Sequence, residues 1–170
     1  MGRKRVSLGR AEALIENLKR ELDLTACIIK NAGHLRKTYT IDGTSGAKTV
    51  VMTKADYVPG SAIYIKQGDT NGENVIVTLP AVEAGLKYTF ISSATGANNP
   101  TVQIKALANV MEGVYIVDDA TEDISAKGSL TWDAARWIKG TRVECSSDGA
   151  NWYIRATCLC VDGELTLATV

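Results

Sequence analysis

Histidine occurs once in this chain, at His34, and no run of 18 apolar residues exists anywhere in it. The first shortage bears on catalysis. A Ser–His or Cys–His pair would have to use His34, which sits in a connector between Gly33 and Leu35. Cys27 lies close in sequence, but nothing supplies the third group that orients such a pair. The second shortage leaves no segment able to cross a bilayer as a helix. The basic opening MGRKRVSLGR leads into no apolar stretch, so it does not read as a secretory signal. The expectation is assembly in the cytoplasm, with the thiols of Cys27, Cys145, Cys158 and Cys160 reduced.

Charge is also scarce. Only 22% of residues are charged while Gly reaches 15, a balance that suits sheets joined by tight turns. Hydrophobic residues make up 45% of 170 positions, enough to bury a core without metals or disulfides and too many for a disordered chain. The formal net charge is zero, but it is unevenly spread. Residues 1–37 hold nine Lys/Arg against four Asp/Glu, a net of +5, and residues 38–170 hold ten against fifteen, a net of −5. A basic arm therefore precedes an acidic body. Such an arm suits an anionic surface, a nucleic acid or an acidic protein partner, or it is a solubilising tail.

Within the arm, residues 7–24 read as a helix with Ser7 as N-cap. Leu8, Ala11, Ile15, Leu18 and Leu22 follow one another in steps of three and four, the a/d seam of a coiled coil. Leu14 flanks this seam, and Glu12, Lys19 and Glu21 take e and g positions. A helix this short is marginal alone and needs either partner helices or an adjoining sheet to cover its stripe.

From Tyr39 onward the period changes to two. The domain division is a basic arm, helix and connector over 1–37 and an all-β domain over 38–170. Candidate strands are 38–41, 48–53, 61–67, 74–80, 87–92, 101–106, 113–119, 122–128, 140–146, 151–158 and 164–169. Gly/Asn/Asp-rich turns separate them, which predicts an antiparallel β-sandwich of jelly-roll type. Parallel pairing would call for crossover helices, and the gaps are too short for them. Only TWDAARWIK at 131–139 offers a turn of helix. VECSSDGANWYIRAT predicts a hairpin: Val143, Cys145, Trp152 and Ile154 point one way, Arg142, Glu144, Tyr153 and Arg155 the other, and Asp148-Gly149 supplies the turn.

Candidate sites are thin. Cys158 and Cys160 form C-x-C on one strand face, with Cys145 on the same side, and read as small core residues because no further ligand set completes a metal site. GTSGAKT at 43–49 has the wrong glycine spacing for a phosphate loop and reads as a turn. Asp118, Asp119, Glu122 and Asp123 could hold Ca²⁺ but read more simply as a solvated turn. No cofactor is expected, and no basic patch interleaved with aromatics marks the body as nucleic-acid binding.

Residues 53–94 contain Leu79-Pro80 at a strand end, an Ala/Gly-rich bend AVEAG at 81–85, and the strand YTFI at 88–91 with an aromatic core residue. This segment resembles a recurrent module of tailed-phage virion proteins. Residues 139–154 are similar to the hairpin that often closes that module. The resemblance implies a structural, non-enzymatic virion protein: a homotrimeric head-decoration or head-fibre protein located in the virion, partnered by itself and by a capsid or other virion protein, with no nucleic acid and no membrane. Leu8, Ala11, Ile15, Leu18 and Leu22 are then the trimerisation seam, and Arg3, Lys4, Arg5 and Arg10 the candidate particle anchor. The alternative is a receptor- or glycan-binding tail-fibre head, with Tyr57 or Trp137 as exposed stacking platforms. A glycosidase would need a carboxylate pair, and no pair can be assigned.

Overall fold

The computed structural model describes residues 37–67, 73–94, 101–117, 120–132, 137–158 and 165–170. All of them fall in one compact unit, Arg36–Val170. The helix expected at 7–24 lies outside the described residues.

Twelve strands follow one another: β1 (Thr38–Asp42), β2 (Lys48–Val51), β3 (Ala62–Lys66), β4 (Val75–Thr78), β5 (Lys87–Ala94), β6 (Val102–Lys105), β7 (Met111–Val117), β8 (Ala120–Lys127), β9 (Ser129–Trp132), β10 (Arg142–Ser147), β11 (Trp152–Cys158) and β12 (Leu165–Ala168). No helix occurs among the described residues. The strands form a seven-stranded sheet, β1-β3-β5-β10-β11-β7-β8, and a five-stranded sheet, β12-β9-β6-β4-β2.

Both sheets are mixed, which corrects the expectation of an antiparallel sandwich. β1, β3 and β5 pair in parallel, as do β2, β4 and β6, and β7 pairs in parallel with β11. Odd and even strands alternate between sheets through β6, so the chain returns to each sheet by way of a strand in the other one. That strand does the work assigned to a crossover helix. The path is regular: Lys48 pairs with Val75 (75 − 48 = 27), Val75 with Val102 (102 − 75 = 27), and Ala62 with Thr89 (89 − 62 = 27). Three stacked turns of chain result, and Asn74 ties two of them together by accepting a hydrogen bond from the Thr101 backbone N–H at 2.8 Å.

Period-two patterning sends one face of each strand inward. Ile63, Ile65, Tyr88, Phe90, Val143, Cys145 and Trp152 from the larger sheet join Val75, Val77, Val102, Ile104, Leu130 and Trp132 from the smaller one in a single core. Each large side chain buried this way contributes roughly 1.5–3 kcal/mol. Trp137 locks the two sheets together. Its ring meets Trp132 edge-on at 4.9 Å, its indole N–H donates to the Ile65 carbonyl at 3.3 Å, and its own carbonyl accepts from Ser92 Oγ at 3.1 Å.

Each of the eleven candidate strands overlaps an observed one, with ends displaced by up to two residues. β9 was missed, because residues 131–139 suggested a helical turn. Ser129, Leu130 and Trp132 are instead buried, and pairing with β6 and β12 on either side imposes the extended form. GTSGAKT is a turn, with Gly46 at φ +130°. One thiol expectation is corrected. Cys145 is free and buried as expected, but Cys158 is disulfide-bonded.

Candidate functional site

The hairpin of β10 and β11 lies inside the larger sheet, between β5 and β7. Its inward residues Val143, Cys145, Trp152, Ile154 and Ala156 are all buried. Alternation then forces the intervening side chains outward. Across the hairpin, Ser146 faces Tyr153, Glu144 faces Arg155, and Arg142 faces Thr157. Six side chains thus form a two-column strip on the outer face of the sheet.

Several contacts hold this strip in place. Asp148 caps the turn: its Oδ1 accepts the backbone N–H groups of Ala150 and Asn151, each at 2.8 Å. Its Oδ2 accepts the Tyr153 hydroxyl at 3.0 Å. The backbone donors of Asn151 and Ala150, with the phenol, hold the Asp148 carboxyl below the usual carboxylate range, and the bond to Asp148 pushes the Tyr153 phenol up. Gly149, at φ +102°, takes the left-handed conformation that the turn requires. Tyr153 remains 46% exposed, so the hydrogen bond tethers its hydroxyl without covering the side chain.

Beside it, Arg142 donates to a single oxygen of Glu144, Oε1, from Nη2 at 2.6 Å and Nε at 3.1 Å, an exposed contact that leaves Oε2 open. Arg155 is exposed and has no hydrogen-bond or ion-pair partner among the described residues. Arg142, Glu144, Arg155 and Thr157 line a shallow depression of about 220 Å³. The depression presents the Arg155 guanidinium, the Glu144 carboxylate held by Arg142 and the Thr157 hydroxyl, and Tyr153 lies two residues from Arg155 on the same strand face. Among the described residues no group of three metal-ligating side chains occurs.

The positions singled out from sequence fare differently. Leu8, Ala11, Ile15, Leu18 and Leu22, and Arg3, Lys4, Arg5 and Arg10, lie outside the described residues, as do Cys27, His34, Asp118, Asp119 and Cys160. Glu122 and Asp123 are exposed on β8, where Glu122 accepts the Tyr115 hydroxyl at 2.6 Å. Burial, with that bond to Glu122, pushes the Tyr115 phenol up to about 12. Trp137 is fully buried, which removes it as a stacking platform. Tyr57 is half-buried, with its ring 4.8 Å from Tyr39. The exposed aromatic is Tyr153, and the signal for it was present in the alternation of NWYIRAT, where Trp152 and Ile154 inside place Tyr153 and Arg155 outside.

Comparison with family models, with curated proteins and with solved structures returned no match.

Proposed function

We propose that this chain is a structural virion protein, a homotrimeric capsid-decoration or head-fibre subunit attached to a phage particle. The observation that carries the reading is the adjacency of the two segments on which the resemblance rests. Within residues 53–94, strands β3, β4 and β5 make one full turn of the stacked path. Leu79 is buried at the end of β4, the chain bends through 81–86, and β5 returns with Tyr88 and Phe90 inward. The hairpin of 139–154 then pairs with that same strand, Val143 opposite Phe90 and Cys145 opposite Tyr88. Segments far apart in sequence act as one unit, as a single module implies.

The arm and seam supply the remaining roles. Leu8, Ala11, Ile15, Leu18 and Leu22 join three copies, and Arg3, Lys4, Arg5 and Arg10 hold the arm to an acidic capsid surface. Each exposed ion pair contributes little, so three arms acting together provide lasting attachment. Electron microscopy of assembled particles tests the reading directly, and density for the protein on the head supports it. Deleting residues 1–10 should abolish particle binding while leaving a folded β-domain. Normal decoration by the truncated protein would reduce the arm to a solubilising tail. Ile15→Asp should dissociate the trimer in sedimentation, since a charge in a dry seam is costly; an intact trimer would end that assignment.

The receptor- or glycan-binding reading is favoured by one observation, the exposed Tyr153, hydrogen-bonded to Asp148, beside Arg155, which has no side-chain partner among the described residues.

A further inference from the structure

We propose that the outer strip of the β10–β11 hairpin binds an acidic saccharide, one whose sugar ring carries a carboxylate; this rests on the glycan-binding reading and specifies its ligand. Three features converge. Tyr153 offers an aromatic face whose position is set by its bond to Asp148, so stacking a pyranose on it costs little side-chain ordering. Arg155 lies two residues further along the same strand face, about 7 Å away at the usual strand rise. Its guanidinium has no partner among the described residues and matches a carboxylate as a two-pronged donor. Glu144, directly across from Arg155, is held by Arg142 and is available to accept from ring hydroxyls. Thr157 and Ser146 complete the strip as hydroxyl partners of either sense.

The mixture of charges selects the ligand class. A free phosphate would meet Arg155 but has no ring to stack on Tyr153, and it would bring a larger negative charge than a single carboxylate against Glu144 in the same depression. A neutral sugar would stack on Tyr153 and bond to Glu144 but leave Arg155 unused. A monoanionic sugar satisfies both: its carboxylate lies on Arg155 and its hydroxyls donate to Glu144. The site also needs no rearrangement, because both strands are interior to the sheet and paired on each side.

The test is calorimetric titration of the intact protein with a tetrasaccharide of alternating glucuronic acid and N-acetylglucosamine, with its carboxyl-reduced form, and with inorganic phosphate. The acidic form should bind about tenfold more tightly than the reduced form, the scale of one charge-assisted pair. Arg155→Gln should erase that difference while leaving the reduced form's affinity unchanged. Tyr153→Ser should weaken both forms alike. Both side chains are exposed, so the variants keep the parent's thermal transition, which is measured alongside. Equal binding of the two saccharides, or an Arg155→Gln variant that still discriminates, overturns the proposal and leaves a glycan-binding reading standing. Phosphate competing as well as the acidic saccharide reduces the strip to a general anion patch and overturns it too. Absence of binding by either saccharide ends both the proposal and the glycan reading, without touching the decoration reading, which particle attachment tests separately.

Discussion

Gly113 is the position where a single added methyl group should do most harm. It sits in β7 at the point where the register with β8 slips, and its backbone is at φ +138°. A Cβ placed there would lie 2.0 Å from the Ile154 carbonyl oxygen and 2.9 Å from the Ile154 carbonyl carbon and amide nitrogen. These are backbone atoms of β11, the strand paired in parallel with β7 from Met111 to Val117, so no side chain can swing aside. Gly113→Ala therefore combines two costs. The left-handed backbone costs an L-residue about 1–2 kcal/mol. Moving β7 from β11 by the ångström or more that the clash demands sacrifices on the order of two ladder hydrogen bonds, at about 1 kcal/mol each. The expected loss is roughly 3–4 kcal/mol, or about 10 °C in Tm for a domain of this size. Gly46→Ala is the matched control. Its φ is +130°, but nothing lies within 4 Å of the added atom, so only the backbone cost applies. Urea unfolding followed by tryptophan fluorescence reports both, since Trp132, Trp137 and Trp152 are all buried, with protein concentration held fixed in case assembly contributes. Equal losses for the two variants would refute the close-approach reasoning.

Three further outcomes are expected. Ala126, at φ +48° in the bulged part of β8, occupies a conformation that favours glycine, so Ala126→Gly should stabilise the fold by up to about 1 kcal/mol, seen as a higher urea midpoint. The Thr44 hydroxyl and backbone N–H, together with the Lys66 ammonium, hold the Asp42 carboxyl at about 2 against an ordinary 3.8. Between those values the unfolded chain takes up a proton that the folded one refuses, so this stabilisation is present above pH 4 and is lost as pH falls toward 2. Asp42 is exposed enough for solvent screening to keep the effect under about 1 kcal/mol, and Asp42→Asn should flatten that part of the acid limb. Burial, and then the neighbouring Glu144 charge, raise the Cys145 thiol. It should resist thiol reagents until the protein unfolds, while peptide mapping without reductant should find Cys158 in a disulfide and reductant should lower Tm.

How much of this was legible beforehand follows from the range over which each feature is decided. Whether a residue faces in or out depends on its neighbours two positions away. The patterns of 61–67, 87–92 and 151–158 therefore located their strands, and VECSSDGANWYIRAT located the hairpin with its inward Cys145 and outward Arg155. Strand direction depends on where the connecting chain travels. The segment between Asp42 and Ala62 is too short for a parallel return through a helix, but a second sheet lets β2 serve as the return path. β9 and Trp137 were hidden for a related reason: β6 and β12 on either side hold Ser129–Trp132 extended, and Trp132 and Ile65 pack around a buried Trp137, partners that lie far away in the chain. The strip of Tyr153, Arg155 and Glu144 belongs to both levels. Alternation on each strand turned these side chains outward, but the register that sets Glu144 against Arg155, and the Asp148 cap that holds Tyr153 still, exist only once the two strands pair, because hydrogen-bond partners across a sheet are chosen by the fold and not by the neighbouring residues in the chain.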